Sequence, residues 1–91
     1  MAEYEKLFEV PNMHGGKRAV YRLSKPIASE RGYTSYVCAD FAYTPDHGPE
    51  TMLFACDECG FVTDWADLWC DYGDTVSNDA AIREWTESRH G

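Results

Sequence analysis

Residues 51–72 read Thr51-Met52-Leu53-Phe54-Ala55-Cys56-Asp57-Glu58-Cys59-Gly60-Phe61-Val62-Thr63-Asp64-Trp65-Ala66-Asp67-Leu68-Trp69-Cys70-Asp71-Tyr72, and their reading decides the fold. Thr51–Cys56 is an apolar run of strand length. Gly60 after Cys56-Asp57-Glu58-Cys59 permits the positive φ that a tight turn asks for. Thr63-Asp64 then supplies a helix start. From there Trp65, Leu68, Trp69 and Tyr72 recur at i, i+3, i+4 and i+7, with Asp64, Asp67 and Asp71 outside the stripe. That spacing predicts a short amphipathic helix ending at Gly73.

The strands lie upstream. Tyr4–Val10 and Lys17–Leu23 mix apolar and charged residues at near-alternating positions and read as a hairpin around the turn formers of Pro11–Gly16. Ser24–Gly32 is a polar connection punctuated by Pro26 and Gly32. Tyr33–Tyr43 is a strand with Tyr33, Ser35, Val37, Ala39, Phe41 and Tyr43 on one face and Thr34, Tyr36, Cys38, Asp40 and Ala42 on the other. A turn through Pro45-Asp46-His47-Gly48 returns the chain along Thr51–Cys56. Centring that hairpin near His47 sets Tyr43 opposite Thr51 and Cys38 opposite Cys56. Beyond Gly73, Ser77 or Asn78 caps a second helix, Val76 staples onto Ala81, and Ile82 and Trp85 face inward. The expectation is one α+β domain spanning residues 1–91, an antiparallel sheet of about four strands followed by two C-terminal helices.

With 91 residues, 44% of them hydrophobic and 14% aromatic, the chain can bury a core, though a small one. The N-terminus lacks a basic start followed by an apolar run, and no stretch of eighteen apolar residues occurs, so the expectation is a soluble protein of a cell's cytoplasm. There, four cysteines are expected as thiols or metal ligands. Cys56 and Cys59 form a C-x-x-C-G knuckle, and with Cys38 and Cys70 they give C-x17-C-x2-C-x10-C, a spacing weaker than a zinc ribbon. The candidate metal site is a structural zinc held by Cys38, Cys56, Cys59 and Cys70, with His47 or His14 able to replace one ligand. Buried thiols packed as small hydrophobes are the alternative.

The charge is uneven. Residues 1–50 carry seven acids against six bases, whereas residues 51–91 carry nine acids against Arg83 and Arg89. Such a surface repels nucleic acid and anionic membrane and favours a basic partner, and Asp64, Asp67, Asp71 and Asp74 are the candidate partner-binding residues. Tyr33, Tyr36, Tyr43, Trp65, Trp69 and Trp85 could stack nucleobases only beside positive charge, so most are expected in the core, with one or two left as interface anchors. His14-Gly15-Gly16-Lys17-Arg18 sets glycine amides beside two cations, but no helix follows to complete an anion cradle. No Ser/His/Asp set, phosphate loop or His pair at ligand spacing is present, and no enzyme is expected.

The segment Glu50–Leu68 resembles one common in small actinobacteriophage accessory proteins of unknown function, of mycobacteriophage type, whose pattern is roughly E-T-[YM]-[VL]-F-[PA]-A-D-x-[DE]-G-x-V-T-[DS]-W-x-[ED]-L. Glu50, Thr51, Met52, Leu53, Phe54, Ala55, Asp57, Gly60, Val62, Thr63, Asp64, Trp65, Asp67 and Leu68 carry the match. Asp79–Trp85 is similar to that pattern's closing D-x-A-L-x-x-x-G-W. The resemblance implies a phage-encoded protein and brings no catalytic or binding residue. Where this chain has Cys56 and Cys59, the pattern has a small residue and an acid, which implies a turn that does not itself need metal. The expected function is a small acidic binding protein that occupies a surface of a host or defence protein, with nucleic-acid mimicry as one form. A zinc-stabilised structural or self-assembling phage protein is the alternative.

Overall fold

The computed structural model describes residues 3–12, 16–29, 32–44, 48–72 and 77–90. Five strands, β1 (Tyr4–Pro11), β2 (Lys17–Ser29), β3 (Gly32–Thr44), β4 (Gly48–Cys56) and β5 (Val62–Tyr72), precede one helix, α1 (Asn78–His90). The strands form a single antiparallel meander in the order β1-β2-β3-β4-β5. Each pairs with its sequence neighbour, so every pairing closes a short loop at small entropic cost.

Three departures from simple pairing shape the sheet. The β1–β2 register shifts between Lys6 and Phe8, β2–β3 shifts between Arg22 and Ile27, and β4–β5 shifts on both sides of Ala55. Extra residues on one strand bend it and increase its twist. The β2 irregularity accommodates Pro26, which has no N–H to give a ladder. Hence Ser24–Ser29, expected as a loop, continues β2.

The expectation of four strands and two helices is corrected here: the first predicted helix is β5, and among the described residues the second is the helix that forms. Two physical causes converge. The turn after Cys56 delivers the chain against the open edge of β4, whose backbone groups take partners from Val62 onward. Trp, Val, Thr and Tyr in the segment also suit a pleated surface better than a helix. The helical spacing survives as an effect of the bulge. Asp64 stands opposite Ala55 but Trp69 stands opposite Leu53, so several residues of β5 pass a single interval of β4 and the period-two alternation is reset between them.

The helix covers one face of the sheet. Ala81, Ile82 and Trp85 pack with Ala19, Tyr21, Leu23, Ile27, Val37, Ala39 and Leu53, and Tyr4, Leu68 and Trp69 close the periphery. Truncating Ile82 to Ala would cost about 2–5 kcal/mol at such a site. Ser77 caps the helix, its Oγ accepting from the Ala80 amide at 3.1 Å, while the Ser77 carbonyl accepts from the Ala81 amide at 3.1 Å. Val76, the expected staple, lies outside the described residues, as do His14 and His47. On the opposite face Val20, Cys38, Phe54 and Cys56 form a second cluster with Tyr36, Met52 and Val62. The β4–β5 turn folds down onto it. Gly60, at φ 91°, sits so close that an added Cβ would lie 2.9 Å from Val20 Cγ2 and 3.4 Å from the Phe8 ring.

Candidate functional site

All four cysteines are thiols: Cys38 and Cys56 are buried, Cys70 is half-buried and Cys59 is exposed. The observed β3–β4 register sets Cys38 opposite Phe54 and Tyr36 opposite Cys56, two residues from the expected pairing. Because the offset is even, it leaves every side chain on its expected face. Cys38 and Cys56 are therefore diagonal neighbours within one buried cluster, close enough for their thiols to act on each other. The Cys56 thiol and then the nearby Arg18 guanidinium hold the Cys38 thiol below its ordinary range, against the opposing effect of burial. The Cys38 thiol and burial push Cys56 up.

Arg18 belongs to the same polar group. Its Nη2 donates to Asp40 Oδ2 at 3.0 Å, and Asn12 Nδ2 donates to Asp40 Oδ1 at 2.6 Å and to the Phe41 carbonyl at 2.8 Å. Asn12 Oδ1 accepts from the Gly16 amide at 2.9 Å. This network joins the β1–β2 turn to β3 beside the thiol pair.

The other two cysteines lie elsewhere. Cys70, on β5, pairs with Met52 of β4, and Cys59 stands in the β4–β5 turn. Among the described residues, no three His, Cys, Asp or Glu side chains gather as metal ligands. Cys38 and Cys56 thus supply two of the four thiolates that a closed zinc site takes, and the remaining two are not brought to them.

The knuckle turn has another organiser. Asp57 Oδ1 accepts from the amides of Cys59 at 2.9 Å and Phe61 at 3.0 Å, while the Asp57 carbonyl accepts from Gly60 N at 3.0 Å. An aspartate that satisfies its own turn's amides stabilises it locally. Of the two features the sequence offered at this turn, C-x-x-C and the Asp-Gly frame, the second forms it.

Of the four aspartates expected at an interface, Asp64, Asp67 and Asp71 do not share a helix face, because that helix is β5. Asp64 is 8% exposed and faces inward. The side chains of Asp67 and Asp71, and the whole of Asp74, lie outside the described residues.

A different surface emerges where β3 begins and β5 begins. Tyr33 is 81% exposed, Phe61 71% and Trp65 69%. They line one open groove of about 740 Å³ together with Tyr36, and Asp57 and Glu58 supply its charge. Trp65 is held in place by Phe54, edge to face at 5.3 Å between ring centroids. Thr34 Oγ1 donates to the Cys56 carbonyl at 3.0 Å, pinning the groove floor. Tyr33, Tyr36 and Trp65 are among the six aromatics of which one or two were expected as interface anchors, though the sequence did not say which, and it set Trp65 on an apolar helix stripe. Phe61 was not singled out; its signal is its place directly after the Asp57–Gly60 turn.

Among the described residues, no helix is long and apolar enough to cross a membrane. In comparisons with family models, curated proteins and solved structures, the chain matches none significantly.

Proposed function

We propose that this protein is a small acidic binding module that occupies a surface of a partner protein, with the groove of Tyr33, Tyr36, Phe61 and Trp65 as its contact. The observation that carries this reading is the exposure of three large aromatic side chains around one concavity. Isolated exposed aromatics are ordinary, but a cluster in a groove has the composition of an interface core. Asp57 and Glu58 at the rim, in a chain of net charge −8, select a partner that offers lysine or arginine. Cations of that kind also bind over aromatic faces. The resemblance to phage accessory proteins supports a host or competing-phage protein as that partner.

Capture from host lysate with wild type and with Phe61→Ser/Trp65→Ser tests this reading. Both side chains are exposed, so the variant keeps its fold. Loss of the captured partner in the variant, and weakening of wild-type capture by Glu58→Lys or by raised salt, is the expected result. Equal capture by all forms would remove the groove from the function.

A second reading has its own observation. β1 is an edge strand on which Leu7, Phe8 and Val10 are each more than a third exposed, and an open edge of that kind can pair with another copy. This supports the self-assembling alternative, and light scattering of the purified chain separates monomer from oligomer.

A further inference from the structure

The backbone beneath the aromatic groove restricts what can lie in it. The floor is sheet: Tyr36 pairs with Arg22 on one side and with Cys56 on the other, and Cys56 pairs in turn with Val62. Thr34 Oγ1 donates to the Cys56 carbonyl at 3.0 Å and accepts from the Tyr36 amide at 3.1 Å. The turn at the end of the groove satisfies itself as well. The Asp57 amide donates to the Phe61 carbonyl at 3.0 Å, the Gly60 amide donates to the Asp57 carbonyl at 3.0 Å, and Asp57 Oδ1 takes the amides of Cys59 and Phe61. These main-chain groups are already engaged with one another. An ordinary peptide laid across this floor would bury amide N–H groups against it without acceptors, which is unfavourable for each such group.

What the groove offers instead is ring faces, a few side-chain donors and negative charge. Tyr33, Phe61 and Trp65 are exposed, and the phenol and indole groups of the tyrosines and Trp65 can donate to carbonyl oxygens. The charge comes from Asp57 and Glu58. Glu5, Glu9, Asp40 and Asp79 each hold a lysine or arginine, whereas among the described residues no cation pairs with Asp57 or Glu58. The groove therefore presents its carboxylates without a counter-charge from the fold.

Proline meets the first condition. Its amide has no N–H to orphan, its carbonyl still accepts, and its ring packs flat on aromatic faces. A run of prolines is also extended before it binds, in a helix without internal hydrogen bonds, so little conformational freedom is lost on docking. A flanking cation meets the second condition.

We propose that the groove binds a proline-rich segment in the polyproline II conformation, carrying arginine or lysine at the end that meets Asp57 and Glu58. Its rings lie between Tyr33, Phe61 and Trp65, and its carbonyls accept from the tyrosine and tryptophan donors. This names the class of partner for the binding module and rests on that reading. The competing mode is a peptide added as a strand to the outer edge of β5, the last strand of the sheet, and that mode uses the very N–H groups that proline lacks.

Titration of the full chain with an oligoproline peptide ending in arginine, followed through amide and indole N–H chemical shifts, gives the test. Saturable shifts at Tyr33, Phe61 and Trp65 are expected. Tyr33→Ser or Trp65→Ser should weaken binding at least about tenfold, as loss of an interface anchor does, and Glu58→Gln about threefold, the scale of an exposed ion pair. All three side chains are exposed, so these variants keep the fold. A matched peptide with alanine in place of proline and the arginines kept should bind at least about tenfold more weakly. Equal binding of the alanine peptide would overturn the requirement for proline in favour of strand addition. No saturable binding of oligoproline, with capture from lysate still dependent on Phe61 and Trp65, would overturn the proline-rich partner and leave the binding module standing. Failure of both would remove the groove from function.

Discussion

The Tyr21 hydroxyl donates to Asp79 Oδ1 at 2.6 Å, joining the middle of β2 to the first turn of α1 across 58 residues of sequence. Lys6 reaches the same carboxylate from β1. Two strands and the helix therefore converge on one acidic residue, which also sits where a carboxylate favours the helix dipole.

This convergence makes stability depend on pH at both ends of the scale. The hydrogen bond from Tyr21, and then Lys6, hold Asp79 below its ordinary range, so its contribution is complete above a pH of about 4 and is lost as pH falls through the depressed value. Burial and then the bond to Asp79 push Tyr21 up, so its contribution is complete below a pH of about 10 and is lost as pH rises. Lys6 is also raised, its bonds to Glu9 and Asp79 outweighing burial, and it weakens in the same alkaline direction. Thermal melts between these limits should show little slope from this group. Tyr21→Phe should cost about 1–2 kcal/mol near neutral pH and flatten part of the alkaline decline. An unaltered alkaline profile in that variant would show that Tyr21 is not its source.

Gly32 and Gly60 form a matched pair of substitutions. Both have positive φ, 110° and 91°, but a Cβ at Gly32 would meet nothing within 4 Å whereas one at Gly60 would press on Val20. Gly32→Ala should cost about 1 kcal/mol, the backbone penalty alone. Gly60→Ala should cost about 2–4 kcal/mol, since overpacking is added to it. Urea denaturation of the two variants measures the difference, and equal losses would mean that the turn does not rest on Val20.

Asp57→Ala should destabilise the protein by about 1–2 kcal/mol, because the amides of Cys59 and Phe61 lose their shared acceptor. Cys59→Ser, an exposed replacement in the same turn, should change stability by less than about 0.5 kcal/mol. The opposite ranking in denaturant melts would return the turn to its cysteines.

The residues that were legible in the sequence are those whose local signal and tertiary role agree. Val37 and Ala39 alternate with Tyr36 and Cys38 along β3, and the two sets face the two sides of the sheet as alternation demands. Of the two candidate caps, Ser77 and Asn78, Ser77 is the one whose hydroxyl caps the helix. Trp65, Leu68 and Trp69 misled because a bulge imposes on a strand the same three- and four-residue spacing that a helix shows, and pairing with β4 cannot be seen along β5 alone. The position of Asn78 against Lys17 was beyond reach for the same reason: 61 residues separate them, and only the meander brings them together.

The cysteines give the last prediction, because exposure and thiolate character point to different residues. Cys38 is the thiol held low, yet it is 0% exposed, so reagent cannot reach it in the folded chain. Cys59 has access through its exposed turn. Titration with an aromatic disulfide reagent under native conditions should therefore show one fast thiol from Cys59, a slower one from half-buried Cys70, and the Cys38–Cys56 pair only on unfolding. Cys59→Ser should remove the fast phase and nothing else. A zinc site formed by Cys38, Cys56, Cys59 and Cys70 requires a different course: no fast thiol until a chelator is added, then all four together with one zinc per chain released. A fast phase present before chelation, and unchanged by it, would place Cys59 outside any metal site and leave Asp57 as the residue that shapes the turn.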